Sequence, residues 1–448
     1  MIEESRNEQK VAMKLYLENV RSFEGWHEIP IAPATVLLGE NSAGKSTLLG
    51  MLAVVHHEGF PFNGNFFNQF PFEFGGYKTL ASGKKGINHF SVGFQTDMHD
   101  HSDRTREKSD KLVSTGLIAA FRENDGLPVL CHVFAWLGDM AVVLYEKEFG
   151  SIDRIQQLEF STKLQVESLV SSESGPQGIT WQRLFRAFYE SREKEKKESK
   201  KVNEPIEQQI DFLMHRMMGL MRRGGLSAMA VAPMRSRPKR TYDQLSDEFS
   251  PEGDHVPLLL ARATDPNNRQ AQALHNALRD FGDYSEMFND IGVKKLGKGS
   301  GDPFQVQVRM GTKNSNLVDV GYGVSQILPL IVDAQRANSN TMLLLQQPEV
   351  HLHPKAQAAL GSMIKDWVSK SKKTVVVETH SDYLVDRLRL EVKRGNLKES
   401  ELKIFFLEKQ GKQTKLHVLE VDVQGNILNA PEGYRDFFLH EQMALLVD

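Results

Sequence analysis

Residues Gly39-Glu40-Asn41-Ser42-Ala43-Gly44-Lys45-Ser46 spell a phosphate-binding loop, and they constrain the fold of this chain more than any other feature. The apolar run Thr35-Val36-Leu37-Leu38 leads in as a buried strand would, and Thr47-Leu48-Leu49 leads out as an amphipathic helix would. Strand, glycine turn and helix start is the context this pattern requires. The glycines let the backbone curl so that its N–H groups point at phosphate oxygens, and the helix start adds positive partial charge at the same spot. Gly39, Asn41, Ser42, Ala43, Gly44, Lys45, Ser46 and Thr47 are therefore expected to hold the phosphates of ATP. Lys45 would reach the β- and γ-phosphates, and the Ser46 hydroxyl would take a place on Mg²⁺.

The chain has 448 residues, room for two or three domains, with 40% hydrophobic and 25% charged residues, as in a soluble globular protein. The net charge of −3 gives no global basic signature of nucleic-acid binding, which leaves only local patches for such a partner. A single cysteine, Cys131, permits no intramolecular disulfide and no thiolate zinc site, which fits a reducing cytoplasm. The polar, charged stretch 1–10 is not a secretory signal, and no apolar run reaches the ~20 residues of a membrane span. The expected location is cytoplasmic, with no membrane partner.

Residues 13–17 alternate as a half-buried strand, 27–31 read as a second strand between prolines, and 88–95 alternate again. Residues 60–76 form an irregular loop with aromatic anchors, and 99–111 a solvated loop. Strands are expected at 129–137 and 140–145 around a Gly138-Asp139 turn. Helical periodicity marks 181–189, 206–221 and 270–281, and residues 229–232 are expected to return a strand to the core. The charged stretch 191–202 reads as a solvated helix or loop, or as a contact for nucleic acid or another partner. No heptads are sustained, so no long coiled coil is expected. Further on, 304–308 alternates as a strand. The continuous apolar runs 342–345 and 374–377 each follow a helical segment (326–337 and 355–369), an alternation that argues for a parallel sheet. Segments 402–407 and 414–421 read as a closing hairpin around Gly411. The expected domains are 1–150, an ATPase lobe with the phosphate loop; 151–298, a mainly helical insertion; and 299–448, a second ATPase lobe.

Three later segments narrow the use of the nucleotide. Gly321-Tyr322-Gly323-Val324-Ser325-Gln326 opens a helix, Leu343-Leu344-Leu345-Gln346-Gln347-Pro348-Glu349-Val350-His351-Leu352-His353-Pro354 follows a strand, and Val377-Glu378-Thr379-His380-Ser381-Asp382 ends the next strand. With the opening Leu15-Tyr16-Leu17-Glu18-Asn19-Val20-Arg21-Ser22-Phe23, they resemble an ABC-type ATPase of the OLD-like branch that also holds RecF and the SMC-like repair ATPases. Within it the resemblance is nearest to ATPase subunits of bacterial anti-phage systems such as PARIS and Septu. It covers roughly residues 12–100 and 300–435. In the middle, Ala232-Pro233-Met234-Arg235-Ser236-Arg237-Pro238-Lys239-Arg240-Thr241-Tyr242 resembles a segment common in these proteins. The fold this implies is α/β: an ABC-type P-loop NTPase head with a mixed sheet, an N-terminal antiparallel β lobe and a mainly helical insertion.

The resemblance implies roles residue by residue. Gly321, Gly323 and Ser325 match the signature motif, which in this family faces the phosphate loop of another subunit. One chain has one phosphate loop and one signature, so two complete sites need two chains arranged head to tail, as a dimer or larger ring. His380 matches the switch histidine at the γ-phosphate. His351 and His353 lie close together, but Pro354 and the lack of a third ligand argue against a metal there and for a role in the subunit contact. Gln95 is the candidate for the phosphate-sensing glutamine near Mg²⁺.

Gln346 and Gln347 depart from the family, which carries an acidic residue at each place: one for the Mg²⁺ shell, one to activate water. Glutamine can hydrogen-bond water but cannot take its proton, and it does not neutralise the metal. Glu349 is the only nearby carboxylate in that motif, either serving in their place or shaping the Pro-Glu turn. Gln347, Glu349 and His380 are thus the candidate catalytic residues, and Ser46, Gln346 and Gln95 the candidate metal contacts. The pair is either native to this branch or includes an engineered substitution.

Four functions fit: an ATP-gated assembly factor that holds or releases a separate nuclease effector in anti-phage defence; a repair ATPase clamping duplex DNA through Arg222-Arg223 and 235–240; the ATPase subunit of a membrane transporter, which the Gly-Tyr-Gly-Val-Ser-Gln signature and long insertion fit poorly; and a non-hydrolysing scaffold with ATP as structural ligand. The same arginines would instead pair with carboxylates or nucleotide inside the fold. The glutamine pair itself leads to the expectation of tight ATP·Mg²⁺ binding with slow turnover. Gln347→Glu should then raise steady-state hydrolysis by at least about tenfold, or ~1.4 kcal/mol of barrier. A smaller gain in a phosphate-release assay would remove Gln347 from the water-activating position.

Overall fold

The computed structural model describes residues 13–62, 65–83, 88–99, 112–137, 140–145, 157–161, 227–243, 246–263, 268–299, 301–431, 434–435 and 443. The first elements in the chain are β1 (Met13–Val20), β2 (Phe23–Ile31), β3 (Ala34–Gly39) and α1 (Lys45–His56). Next come β4 (Asn68–Gln69), β5 (Phe72–Glu73) and α2 (Tyr77–Leu80). Long strands β6 (His89–His99), β7 (Leu112–Asn124), β8 (Leu127–Leu137), β9 (Met140–Tyr145) and β10 (Gln157–Ser161) complete this part. From residue 227 the order is β11 (Ser227–Val231), α3 (Val256–Arg262), α4 (Arg269–Ser285), β12 (Asp290–Lys295), β13 (Phe304–Met310) and β14 (Lys313–Asn316). The last elements are α5 (Tyr322–Arg336), β15 (Thr341–Gln346), α6 (Pro354–Ser369), β16 (Thr374–Glu378), α7 (Asp382–Lys393), β17 (Leu402–Gln410) and β18 (Gln413–Leu419).

The chain divides into two compact units. One holds residues 1–31, 50–227 and 410–414, the other 32–49, 228–409 and 415–448. The first unit is built on a seven-stranded sheet in the order β10-β9-β8-β7-β6-β1-β2, antiparallel at every pairing. Pro30 sits on β2, an edge strand, where its missing N–H interrupts no ladder toward a further neighbour. The 60–76 loop anchors itself by its rings: Phe60, Phe66 and Phe67 pack on Phe90 and Phe121, at centroid separations such as 5.0 Å for Phe67–Phe121.

The second unit is a mixed α/β layer. Its six-stranded sheet runs β11-β15-β16-β3-β17-β18, with β15, β16, β3 and β17 parallel. The tight turn at Gly411 makes β18 antiparallel to β17, since a two-residue connection allows nothing else. The central strands are continuous apolar runs, with Val36, Leu37, Leu344, Val376 and Ile404 fully buried. Amphipathic α4 and α7 bury one face each, while α5 is buried all round from Gly323 to Ala334; Leu278, Phe281, Ile331, Leu360 and Leu388 are among the residues that these helices and α6 sink into the core. Gly39 shows how tightly the sheet closes. Its φ is +132°, and a Cβ there would lie 2.0 Å from the Leu407 carbonyl oxygen of β17.

The helix expected at 270–281 is α4, the strand at 229–232 is β11, and the apolar runs 342–345 and 374–377 are adjacent parallel strands. β7, a thirteen-residue strand, was not anticipated. The periodic segments 181–189 and 206–221, the charged stretch 191–202, the 100–111 loop and Arg222-Arg223 lie outside the described residues. The described part of the expected insertion holds β10, β11, β12, α3 and α4.

Gly39→Ala should be far more damaging than Gly311→Ala. Gly311 also has positive φ (+59°), but no atom lies within 4 Å of its would-be Cβ. The Gly311 change should cost only the ~1–2 kcal/mol of a left-handed backbone, and the Gly39 change several times that in denaturant unfolding. Equal costs would mean that Leu407 gives way freely.

Candidate functional site

The carboxyl ends of β3, β15 and β16 meet in the second unit, the place where open parallel sheets present ligand-binding groups. Beyond β3 the loop turns through Ser42 (φ +62°) and Gly44 (φ +97°) into α1, which begins at Lys45. The first N–H groups of a helix have no intrahelical acceptor, so they face the loop. Asn41 and Ser42 are exposed, Ala43 and Thr47 buried. Lys45 is only 4% exposed, and its Nζ donates to the carbonyl oxygens of Gly39 (2.9 Å) and Glu40 (2.6 Å). Burial lowers its pKa, while Glu378 and Glu40 work against that fall.

Ser46 is not alone. Its Oγ donates to Glu378 Oε1 at 2.9 Å. Glu378 ends β16 and is the register partner of Gln346 on β15; its carbonyl also accepts from the Gln347 N–H at 2.8 Å. Glu349 is the only carboxylate the 343–354 motif itself offers near the glutamine pair, and the next strand supplies a second from outside that motif. The apolar run Val375-Val376-Val377 ending in a glutamate directly before Thr379-His380 was the available signal, because a buried carboxylate at a strand end needs a partner. Glu378 Oε2 is buried and has no protein partner. Burial raises the Glu378 pKa; Ser46 and Lys45 oppose the rise and Glu349 adds to it.

Gln347 takes a left-handed backbone (φ +42°) that turns the chain into Pro348-Glu349. Glu349 Oε1 accepts the backbone N–H of His380 at 2.7 Å, and its Oε2 is buried without a partner. Its pKa is raised by burial, against the hydrogen bonds of the His380 and Glu349 backbone and Thr379 and the charge of Arg235. The His380 ring is exposed, with its pKa lowered by desolvation and by the nearby Lys45 charge, which favours the neutral imidazole. Lys45, Ser46, Gln346, Gln347, Glu349, Glu378 and His380 thus converge from strands distant in sequence.

Gly321 caps the N-terminus of α5, and Ser325 Oγ donates to the Tyr322 carbonyl oxygen at 2.7 Å. A Cβ on Gly323 would lie 2.8 Å from the His351 carbonyl oxygen, so only glycine lets α5 approach that loop. His351 packs edge-on against Tyr322 (4.9 Å between ring centroids), and His353 caps α6 through Nδ1, 3.4 Å from the Lys355 N–H. Gln95 lies on β6 of the first unit. Tyr16 Oη donates to its Oε1 at 2.6 Å and its Nε2 donates to Ser114 Oγ at 3.1 Å, so the amide is engaged within the sheet. Of the arginine-rich stretch, Arg235 is 4% exposed and cannot line a DNA surface, while Arg240 is exposed and forms a surface ion pair with Asp319 at 2.6 Å. Arg237 and Lys239 are exposed.

Residues 234–386 match the family described as "AAA domain, putative AbiEii toxin, Type IV TA system". Over that third of the chain the similarity is to an AAA-family ATPase domain; it takes in the helix start at Gly321, the glutamine pair and His380. Among curated proteins none matches the chain. Similar solved structures include an Smc head bound to the C-winged helix domain of ScpA, 10% identical, with a TM-score of 0.42, covering 91% of this chain and 98% of that one. Another is the Smc head domain with an extended coiled coil bound to the C-terminal domain of ScpA derived from Pyrococcus furiosus (12% identical, TM-score 0.40, 98% and 99% covered). A third is the SMC head domain from Thermotoga maritima (9% identical, TM-score 0.40, 91% and 98% covered).

The direction of the Glu378 shift gives a pH signature. A carboxyl whose folded pKa lies above its unfolded value of about 4.3 contributes stability below that value and loses it as pH rises through the folded one. In magnesium- and nucleotide-free buffer, Glu378→Gln should therefore gain stability relative to the parent protein as pH rises from the acid range to neutrality. Urea midpoints compared at both ends test this. A stability difference that does not change with pH would mean that Glu378 is not held toward its neutral form.

Proposed function

We propose that this chain binds ATP with Mg²⁺, hydrolyses it slowly, and uses the bound nucleotide to join with a second copy of itself head to tail. The observation that carries this reading is the Ser46–Glu378 contact beside Lys45, at the carboxyl ends of parallel strands. Ser46 Oγ, the free Glu378 oxygen and the Gln346 amide suit a hard divalent cation, which takes oxygen donors. When bound, Mg²⁺ would offset the charge of the β- and γ-phosphates. Lys45 would exchange its two loop carbonyls for phosphate oxygens. Gln347 would orient a water by hydrogen bonding, and Glu349, with its raised pKa, is the carboxylate available to take a proton. Neutral His380 would donate to the γ-phosphate.

The Gly321–Ser325 helix start would supply N–H groups and a hydroxyl to the partner's nucleotide, so assembly and nucleotide occupancy would be linked. The biological reading is an assembly factor of cytoplasmic anti-phage defence that holds or releases a separate nuclease. It is supported by the resemblance of both ends of the chain to such ATPase subunits. A non-hydrolysing scaffold is the second reading, favoured by glutamine at both 346 and 347.

Native mass measurement with Mg²⁺ and a non-cleavable ATP analogue should show a dimer or larger ring, lost in Lys45→Ala. A lone monomer at saturating nucleotide would end the head-to-tail reading. Retained assembly with no phosphate release would select the scaffold. Co-purification of a nuclease-like neighbour with the parent protein would support the gating role, and steeply salt-sensitive duplex DNA binding would favour the repair clamp instead.

A further inference from the structure

The guanidinium of Arg235 is among the most deeply buried charged groups of the described residues, and neither the loop nor the strand ends account for it. The residue follows β11, in a stretch where Met234 and Arg237 face solvent. Nη1 lies 3.5 Å from the Pro348 carbonyl oxygen, while Nε and Nη2 are buried with no hydrogen-bond partner. Glu349 is close enough for its charge to be felt. Burial draws the guanidinium down to about 10, with Glu349 and Tyr322 opposing, so it stays cationic at neutral pH. An incompletely paired buried cation is costly, and such a residue calls for an explanation in what it holds.

Its neighbours supply one. On one side Arg235 meets the Pro348-Glu349 turn, whose carboxylate accepts the His380 N–H. On the other, the Arg235 carbonyl oxygen accepts the Tyr322 hydroxyl at 3.3 Å, and the Tyr322 ring rests on His351. Tyr322 lies between Gly321 and Gly323. We propose that Arg235 is a positioning residue: it fixes the Pro348-Glu349 turn against the Gly321–Ser325 helix start, so that engagement of that helix start by a second copy sets the carboxylate facing His380. The groups around this link are Tyr322 from α5, Glu349 and His351 from the turn after β15, and Thr379, His380 and Glu378 from the end of β16. Arg235 itself touches no reacting atom.

This inference rests on the proposed ATPase reading for its consequence, and its first test does not need ATP. Backbone amide exchange is measured residue by residue in nucleotide-free protein for the parent, Arg235→Gln, Arg235→Lys and Tyr322→Phe. Arg235→Gln should speed exchange of the His380 amide about tenfold, while amides within β15 and β16 stay protected. Arg235→Lys, which keeps the charge, should restore part of the protection, and Tyr322→Phe should give a smaller acceleration. Unchanged His380 exchange, or acceleration spread evenly over the sheet, overturns the proposal. Should the Gln variant not fold, the Lys and Phe variants carry the same comparison. Turnover supplies the second arm. Arg235→Gln should lower kcat about tenfold with KM little changed, and add no further loss in a Glu349→Gln background; additive losses would overturn the link. A parent protein that fails to bind ATP would end the functional reading and leave the amide test to decide Arg235.

Discussion

Parallel register between β15, β16 and β3 is the constraint on which the candidate site depends. Gln346 pairs with Glu378, Glu378 with Leu37, and Thr379 donates its N–H to the Leu37 carbonyl at 3.2 Å. This ladder places the last side chain of β16 opposite the first turn of α1, which is why Glu378 meets Ser46. Side chains alternate along a strand, so a slip of one residue would turn Glu378 to the other face and leave Ser46 unpaired. The packing that forbids the slip is apolar and two-sided: Val375, Val376 and Val377 are all buried, as are Leu343, Leu344 and Leu345 beside them. The same rigidity explains Gly39, where β17 presses so close that no side chain fits.

Within that frame the charges are held in an unfinished state. Lys45 spends its protons on its own loop carbonyls, and the second oxygens of Glu378 and Glu349, with two nitrogens of Arg235, have no protein partner though buried. Each costs free energy in the isolated chain. Folded proteins concentrate such unsatisfied groups where a ligand or a second conformation completes them. The opposed shifts fit this: burial pushes both glutamates toward their neutral forms, and cations at Lys45 and Arg235 push back. The helix start at Gly321 meets the same region through the chain Tyr322, Arg235, Pro348.

What could be read from the sequence was what depends on local period and short motifs. The loop from Gly39 to Ser46, the helical spacing that became α4, α5 and α6, and the apolar runs of β15 and β16 each carry their signal within a dozen residues. β7 was missed because Gly116, Ala119 and Ala120 blur its alternation; Ala119 and Ala120 are both buried and Gly116 packs under Trp136, so small residues there serve close packing and not a polar face. The role of Glu378 was not legible, since a contact between the end of β16 and the first turn of α1, more than three hundred positions apart, leaves no trace in spacing. For Arg235 the sequence left two places open, a DNA surface shared with its arginine neighbours and the inside of the fold; burial, which no local spacing encodes, selects the second. Gln95 shows the converse. Its residue type suited a phosphate sensor, and the sheet uses both ends of its amide.

This geometry changes what the glutamine pair takes away from the site. A carboxylate beside the Ser46 hydroxyl need not come from β15, because the neighbouring parallel strand ends at the same level. Glutamine at 346 therefore removes less from a cation site than the sequence suggests. Position 347 is different. The carboxylate nearest to it in sequence, Glu349, is already tied to the His380 N–H through one oxygen. Its other oxygen is free but shielded. A proton acceptor so placed would act only when the turn shifts to bring a water against it. In the proposed ATPase this would couple chemistry to movement of Pro348-Glu349, in keeping with the slow turnover proposed above.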